Sequence, residues 1–108
     1  NLMRKVDSQM ITAIRSHLPF SKGNRQVIQH DNGSTSVYFH GHLIAGFGEA
    51  SLFIDNCGYW TATTKQILNE LLREFCSATL YQHKFDWFVQ ERSQEREYTG
   101  GQLLVTYQ

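Results

Sequence analysis

The amino-acid sequence predicts an α+β fold with an N-terminal helix, a four-stranded antiparallel meander, a central helix packed on that sheet, and two or three further antiparallel strands. Two observations predict it. The hydrophobic period is helical near the N-terminus, changes to two residues over 25–55 and becomes helical again over 63–76. Short turn signals separate the segments of period two, which is typical of antiparallel neighbours. Helices of this kind pack on one face of such a sheet.

Length and composition predict a single domain over 1–108. Of the 108 residues, 41% are hydrophobic, which is enough for one modest core. Ten basic residues balance ten acidic ones, so net charge gives no general attraction toward DNA or an anionic membrane. No apolar run approaches the roughly 20 residues of a membrane span, and the first residues lack the apolar region of a signal peptide. We therefore expect a cytosolic protein with no membrane partner and with Cys57 and Cys76 reduced.

Residues 1–20 are predicted to form an amphipathic helix. Apolar residues recur every four positions: Leu2, Val6, Met10, Ile14 and Leu18. Pro19 disfavours helical geometry at the residue before it, so the helix is expected to end near Leu18. Residues 21–24 are expected to be a connector.

The meander is predicted over 25–55. Asn32-Gly33 is a strong hairpin signal, because Asn-Gly tolerates positive φ at both central positions of the turn. Gly41 gives a second tight turn and Gly48 a third. In the third strand we expect Ala45 on one face and Ile44 on the other.

The central helix is predicted over 63–76. Thr63 is the expected N-cap, and Gln66 would complete a capping box. The apolar stripe consists of Ile67, Leu68, Leu71, Leu72 and Phe75. Glu70 and Glu74 are expected on the outer face.

Two or three more strands are predicted over 78–107. Ala78–Gln82 and Phe85–Gln90 follow a period of two, with Phe85, Trp87 and Val89 expected on one face. The charged segment 91–97 is expected to be a mobile loop before a last strand over 103–107.

The start of the central helix is the first candidate binding site. Trp60, Thr61, Thr64 and Lys65 are expected to be exposed there. Free N–H groups at a helix start attract anions, and hydroxyl groups with a lysine would add to that attraction. A capping box accounts for the threonines without a ligand, so both interpretations stay open.

His40 and His42 form a second candidate, since residues two apart in a strand share a face. A metal site needs further ligands, and a turn at Gly41 would splay the two rings. We expect no metal and no other cofactor, and we keep both histidines as binding residues. Cys57 has no base in its local sequence, so no catalytic residue is assigned.

Exposed aromatic side chains give the last candidate, Tyr38. Most aromatics are expected in the core, but strand parity places Tyr38 and Phe88 outside. A stacking platform for single-stranded nucleic acid needs basic neighbours, and residues 36–60 contain no lysine or arginine. A protein-binding surface, where aromatics are enriched, is therefore favoured.

Four short motifs are informative together. They are Gln9–Ile14 followed by Ser21–Asn24 (SKGN), His40–Ala45 (HGHLIA), Gly58–Lys65 (GYWTATTK, then Leu68-Asn69) and Tyr81-Gln82 with Trp87-Phe88. They resemble a group of small, largely uncharacterised bacteriophage and prophage proteins with an HGxxIA hairpin and a GWxTxTTK segment before a helix. The resemblance covers roughly residues 9–90, with one extra residue at Tyr59-Trp60. The charged tail from Glu91 looks particular to this chain.

The resemblance implies a phage origin and a host-cytoplasmic location, and it brings no established activity. We expect a phage-encoded accessory protein, not an enzyme, that binds a host or phage macromolecule and modulates host defence or metabolism. The alternative is a nucleic-acid-binding module that uses Lys65, the threonines and the basic N-terminal helix. A small hydrolase built from His40, His42 and Asp55 is a third interpretation. Edge strands of an open sheet also favour a homodimer.

Overall fold

The structure confirms the α+β class. It is a computed structural model that describes residues 3–107, and over that range it contains two helices and nine strands. The helices are α1 (Lys5–Arg15) and α2 (Ala62–Cys76). The strands before α2 are β1 (Phe20–Lys22), β2 (Arg25–Gln29), β3 (Thr35–Phe39), β4 (His42–Phe47) and β5 (Ser51–Ile54). Those after it are β6 (Thr79–His83), β7 (Asp86–Gln90), β8 (Glu95–Tyr98) and β9 (Leu103–Thr106).

The large sheet has six antiparallel strands in the order β1-β2-β3-β4-β5-β9. It extends the predicted meander by a strand on each side. β1 lies partly in the predicted connector 21–24, because Gly23 and Asn24 alone make the turn, with φ of 61° and 63°. Both values suit a two-residue hairpin turn.

The core lies between the large sheet and the two helices. On the sheet, Val27 pairs with Val37, Val37 with Ala45, and Ala45 with Ile54. The helices cover this stripe with apolar side chains that are at most 5% exposed: Met10, Ile11, Ile14, Ile67, Leu68, Leu71 and Leu72. Burying each large aliphatic side chain contributes roughly 1.5–3 kcal/mol, so this layer is the main source of stability.

A β-bulge changes which residues of β4 face the core. Val37 pairs with Ala45 whereas Tyr38 pairs with Leu43, so Ile44 has no cross-strand partner. An inserted residue interrupts the alternation of faces, and Ile44 and Ala45 are both buried. The prediction that they lie on opposite faces is therefore wrong.

The expected Asn-Gly turn takes a different form. Residues 30–34 connect β2 to β3 as a five-residue loop, in which Gly33 has φ of 90° and Asn32 does not have a positive φ. The Asn32 side chain instead accepts a hydrogen bond from the Ser34 N–H at 3.0 Å. This Asx turn replaces the predicted two-residue turn.

The first helix is shorter than predicted. It ends at Arg15, where His17 adopts φ of 55° and the Leu18 N–H donates to the Ala13 carbonyl at 2.9 Å. This C-terminal closure uses the residues before Pro19, which the apolar spacing counted as helical. Leu18 is consequently 56% exposed, and Leu2 lies outside the described residues.

The second helix starts earlier than predicted. Thr61 is its N-cap, and its Oγ1 accepts from the Thr64 N–H at 3.2 Å. Thr63 lies inside the first turn, so the predicted capping box is wrong. Gln66 donates instead to the Glu70 carboxyl group at 3.3 Å.

Three strands after α2 form a separate antiparallel sheet in the order β6-β7-β8. The expected mobile loop over 91–97 contains the start of β8. Arg96 fixes it, donating to the Glu91 carboxylate at 2.6 Å and to the Leu104 carbonyl at 2.9 Å. Paired charges thus allow a charged segment to form a strand.

The β6–β7 hairpin buries two of the three predicted residues. Trp87 and Val89 are at most 2% exposed. Phe85 lies in the turn between the strands and is 92% exposed, so the expectation that it shares their face is wrong.

A cluster of three charged residues, Asp7, Arg25 and Glu70, is buried where α1, β2 and α2 meet, each at most 8% exposed. The Arg25 Nε donates to Asp7 Oδ1 at 2.7 Å, and its Nη1 donates to the Gly23 carbonyl at 2.6 Å. Burial, then the hydrogen bond and charge of Asp7, raise the pKa of Glu70 to about 7. The prediction that Glu70 lies on the outer face is wrong. We call this set the buried charge cluster.

Candidate functional site

A cavity of about 410 Å³ lies where the β3–β4 hairpin, the turn over 55–59 and the first turn of α2 meet. This volume is within the range of small-ligand sites. We call it the Asn56 cavity, and its lining residues are Phe39, His40, His42, Ile44, Asn56, Tyr59, Thr61, Thr63 and Thr64.

The β4 bulge positions the turn that forms one wall. The Asp55 N–H donates to the Ile44 carbonyl at 2.8 Å, and the Cys57 thiol donates to the Leu43 carbonyl at 3.2 Å. Asp55 Oδ1 in turn accepts from the Cys57 N–H at 2.8 Å. The turn is therefore fastened to the two residues where the strand alternation is interrupted.

Asn56 is held rigidly at the base of this turn. Its N–H donates to the Tyr98 hydroxyl oxygen at 2.8 Å, and its Oδ1 accepts from the Gly58 N–H at 3.1 Å. Asn56 is 0% exposed, and its Nδ2 has no acceptor within residues 3–107. An unpartnered buried donor costs roughly 1–3 kcal/mol. Burial, the largest cause, raises the pKa of Tyr98 to about 12, so this partner stays a neutral phenol.

The start of α2 supplies further donors. The Thr61 cap uses the Thr64 N–H, and Thr61 Oγ1 also donates to Thr64 Oγ1 at 2.9 Å. The Thr63 N–H, in the first helical turn, has no acceptor in the described part of the chain. First-turn N–H groups carry the positive end of the helix dipole. The lining residues within 3–107 include no carboxylate, lysine or arginine.

Four of the seven predicted binding residues converge on this cavity: His40, His42, Thr61 and Thr64. The expectation that Thr64 is exposed is wrong, because this residue is 2% exposed. The two histidines flank Gly41 at the β3–β4 turn, where His40 and Gly41 have φ of 52° and 78°. The His42 ring lies 4.8 Å from the Tyr59 ring. One hairpin tip and one helix start therefore face a common space.

The other three predicted residues lie elsewhere. Trp60 packs at 4.8 Å, centroid to centroid, against Trp87. Lys65 donates to Gln82 Oε1 at 2.7 Å. Tyr38 is half-buried in β3 and does not line the cavity.

Three exposed aromatic side chains lie just before α2 or on the β6–β7 hairpin that contacts its first turn. Tyr59 and Trp60 are 47% and 49% exposed. Phe85 occupies the β6–β7 turn, and Lys65 in the first turn of α2 contacts that hairpin through Gln82. We call Tyr59, Trp60 and Phe85 the aromatic end.

The sequence did not identify Asn56 as a site residue. Its only signal is a position two residues before Gly58 in a predicted turn, which indicates an Asx turn. Nothing in that pattern shows that the side chain is buried or that it lines a cavity. Ile44 was missed for a different reason, because a bulge leaves no mark in an alternating pattern.

Within the described ranges, no group of three His, Cys, Asp or Glu side chains is close enough to hold a metal ion. Both cysteines are free. Burial, followed by the neighbouring Asp55, raises the pKa of the Cys57 thiol, and burial raises the pKa of Cys76 to about 11. In the part of the chain that is described, neither helix has the length and apolar character of a membrane span.

Comparison with known protein families gives a match over most of the chain. A family model described as Kyanoviridae Gp96 protein matches residues 3–105. The chain belongs to this phage protein family. The match runs past Glu91, further than the range of roughly 9–90 that the motifs suggested. No curated protein and no solved structure matches the chain.

Proposed function

We propose that this member of the Kyanoviridae Gp96 family is an accessory protein that binds a host or phage protein in the host cytoplasm, and that the aromatic end is its binding surface. The observation that carries the proposal is the exposure of Tyr59, Trp60 and Phe85, of which Tyr59 also lines the Asn56 cavity. Tyrosine and tryptophan are enriched at interface hot spots, where they fill pockets on the partner. Modulation of host defence or metabolism is the role we assign to such binding.

Binding is favoured over catalysis by the state of the reactive groups. The Cys57 thiol donates to a backbone carbonyl, and its raised pKa lowers the fraction of thiolate. The third member of the hydrolase interpretation, Asp55, accepts from the Cys57 N–H and does not line the cavity with His40 and His42.

A nucleic-acid partner is less favoured because several of the cations that it would use are held within the protein. Arg25 is buried against Asp7, Arg15 pairs with Glu74 at 2.8 Å, and Lys65 donates to Gln82. Phosphate binding depends on cations that are free to replace counterions. A retained DNA or RNA shift at low salt that weakens steeply with added salt would support this alternative instead.

Capture from a lysate of infected host cells tests the proposal. The tagged full chain is compared with Phe85→Ser, and Leu104→Ser is the matched control. Both residues are exposed apolar side chains, at 92% and 64%, but Leu104 belongs to β9 on the large sheet. We expect Phe85→Ser to reduce recovery of a specific protein by about tenfold, corresponding to about 1.4 kcal/mol. Equal recovery by both variants, or no specific protein, would contradict the proposal.

We also propose a homodimer in solution. Within the described residues the large sheet ends at β1 on one side and β9 on the other, and free strand edges commonly pair across a two-fold axis. A mass measurement in solution checks this directly, since a monomeric mass at micromolar concentration would rule it out.

A further inference from the structure

We infer that the Asn56 cavity is a carboxylate-binding site, which takes a single carboxylate attached to an apolar group. This deepens the proposed function, on which it rests, because the cavity belongs to the same end of the molecule. The inference names the chemical class of ligand that would bind beside the aromatic end.

Asn56 provides the first argument. Its Oδ1 is turned toward the Gly58 N–H, so Nδ2 is the polar atom that this planar amide offers to the cavity it lines. Nδ2 is buried without an acceptor in the described chain. A ligand oxygen would remove that cost, whereas a hydrogen-bond donor on the ligand would not.

The start of α2 is independent of that amide and favours the same kind of ligand. The helix is 15 residues long, and its Thr63 N–H is unpaired in the described residues. An N–H group at the positive end of a helix dipole favours an anion. The hydroxyl of Thr64 and the imidazoles of His40 and His42 are further hydrogen-bonding groups in the lining.

The residues that line the cavity favour a carboxylate over a phosphate. Phe39, Ile44 and Tyr59 give the cavity apolar surface, and the described lining residues include no lysine or arginine. A phosphate dianion would find no permanent cation among them, whereas a carboxylate carries a single charge that neutral donors can satisfy. An apolar group next to the carboxylate would occupy the rest of the volume of about 410 Å³.

Two sources offer this chemistry: a free carboxylic acid and the C-terminal carboxylate of a protein. The test is a titration of the ¹⁵N-labelled full chain followed by NMR. The probes are N-acetylphenylalanine and its amide, a hexapeptide ending in phenylalanine with a free or an amidated C-terminus, and inorganic phosphate.

We expect the acid forms to shift the Thr63 amide and the Asn56 side-chain NH₂ signals, and the amidated forms to leave them in place. If the free-acid peptide binds about tenfold more tightly than N-acetylphenylalanine, the source is a protein C-terminus; equal affinities indicate a small acid. Equal shifts from acid and amide forms, no shifts from either acid, or tighter binding of phosphate would each overturn the inference.

Two variants and a control sharpen the test. Asn56→Asp keeps the oxygen that accepts from Gly58 and replaces the free donor by a negative charge, so binding should be lost. Because that variant buries a charge and can fail to fold, Thr63→Asp is the second variant. It places a carboxylate in the first turn of α2, where acidic residues favour the helix, and we expect at least about tenfold weaker binding.

Asn32→Asp is the matched control. Asn32 also accepts from a backbone N–H two residues further along, but in an exposed loop, so binding should not change. A Thr63→Asp chain that still binds N-acetylphenylalanine like the wild type would contradict the inference. If Thr63→Asp also keeps its lysate partner while no acid shifts the wild-type signals, the cavity assignment fails and the proposed function stands.

Discussion

Two regions of this protein bury polar groups, and they differ in what surrounds them. In the buried charge cluster, Arg25 donates to Asp7 and to the Gly23 carbonyl, and a proton on Glu70 gives the two carboxyl groups a hydrogen bond to share. At the Asn56 cavity, an equally buried amide has a donor without an acceptor in the described residues, beside about 410 Å³ of open volume. Opposite charges compensate each other in the first region, although Arg25 Nη2 has no acceptor there among the described residues. The second region leaves a neutral donor on a residue that lines a cavity, where an incoming molecule can satisfy it.

The comparison separates stability from binding. Removing one member of a buried charge pair leaves the other uncompensated, so changes in the cluster should mainly alter folding. Changes at the cavity alter a few neutral hydrogen bonds and should mainly alter binding. The four predictions below test this division, from the largest expected effect to the smallest.

Asp7→Ala should lower the free energy of unfolding by about 3–5 kcal/mol, because Arg25 stays buried without its carboxylate partner. Chemical denaturation measures this. Arg15→Ala is the control, since it breaks the exposed Arg15–Glu74 pair, whose side chains are 50% and 38% exposed, and should cost only about 0–1 kcal/mol. Similar small losses in both variants would mean that the cluster is not a stability element.

Glu70 makes stability depend on pH. Its pKa rises from 4.5 to about 7 on folding, so the folded state binds the proton more tightly than the unfolded chain. This contribution to stability is fully present below about pH 4.5 and is lost as pH rises through about 7. Denaturation midpoints across that window should therefore fall with pH relative to Glu70→Gln, which cannot titrate. Parallel curves for the two proteins would contradict the assignment.

Periodicity predicted most of the fold, and each miss has a local physical cause. The α1 and α2 stripes follow from apolar spacing, and the hairpins follow from alternation of apolar residues together with the glycine turn signals. The burial of Glu70 is not predictable from the sequence, because a carboxylate in a helix is usually solvated and only the approach of Asp7 and Arg25 from other elements makes its burial tolerable. The strand β8 is not predictable either, because it depends on the distant contact between Arg96 and Leu104.

The site was predicted only in part. His40, His42, Thr61 and Thr64 carry visible chemistry, but the sequence gives no reason for a hairpin tip and a helix start to meet. Asn56 looks like an ordinary turn residue until its burial is known. The bulge that buries Ile44 and anchors the 55–57 turn is invisible in a pattern of period two.

Thr61→Ala should cost about 1 kcal/mol of stability, because the Thr64 N–H loses its cap. Thr63→Ala is the matched control and should cost no more than about 0.5 kcal/mol, since Thr63 is not the cap. Thermal or chemical unfolding of the pair decides which threonine caps the helix. A larger loss of stability in Thr63→Ala than in Thr61→Ala would instead support Thr63 as the N-cap, as the capping box predicts.

Lys65→Met should have the smallest effect, within about 0.5 kcal/mol, because its bond to Gln82 lies at the surface. Denaturation of Lys65→Met and, separately, of Gln82→Met measures how much stability is lost when either member of this hydrogen bond is removed. If the wild-type chain retains nucleic acid in a mobility shift at low salt and Lys65→Met does not, the nucleic-acid alternative would be favoured over a protein partner.

The pairing of β9 with β5 has a consequence for the order of folding during translation. Leu52 in β5 faces Val105 in β9, and the ribosome must complete α2 and the entire small sheet before that partner emerges. Until then one edge of the large sheet offers unpaired backbone groups to any other chain. A nascent chain stalled before β9 should therefore be a client of ribosome-associated chaperones, and release should coincide with the docking of this strand.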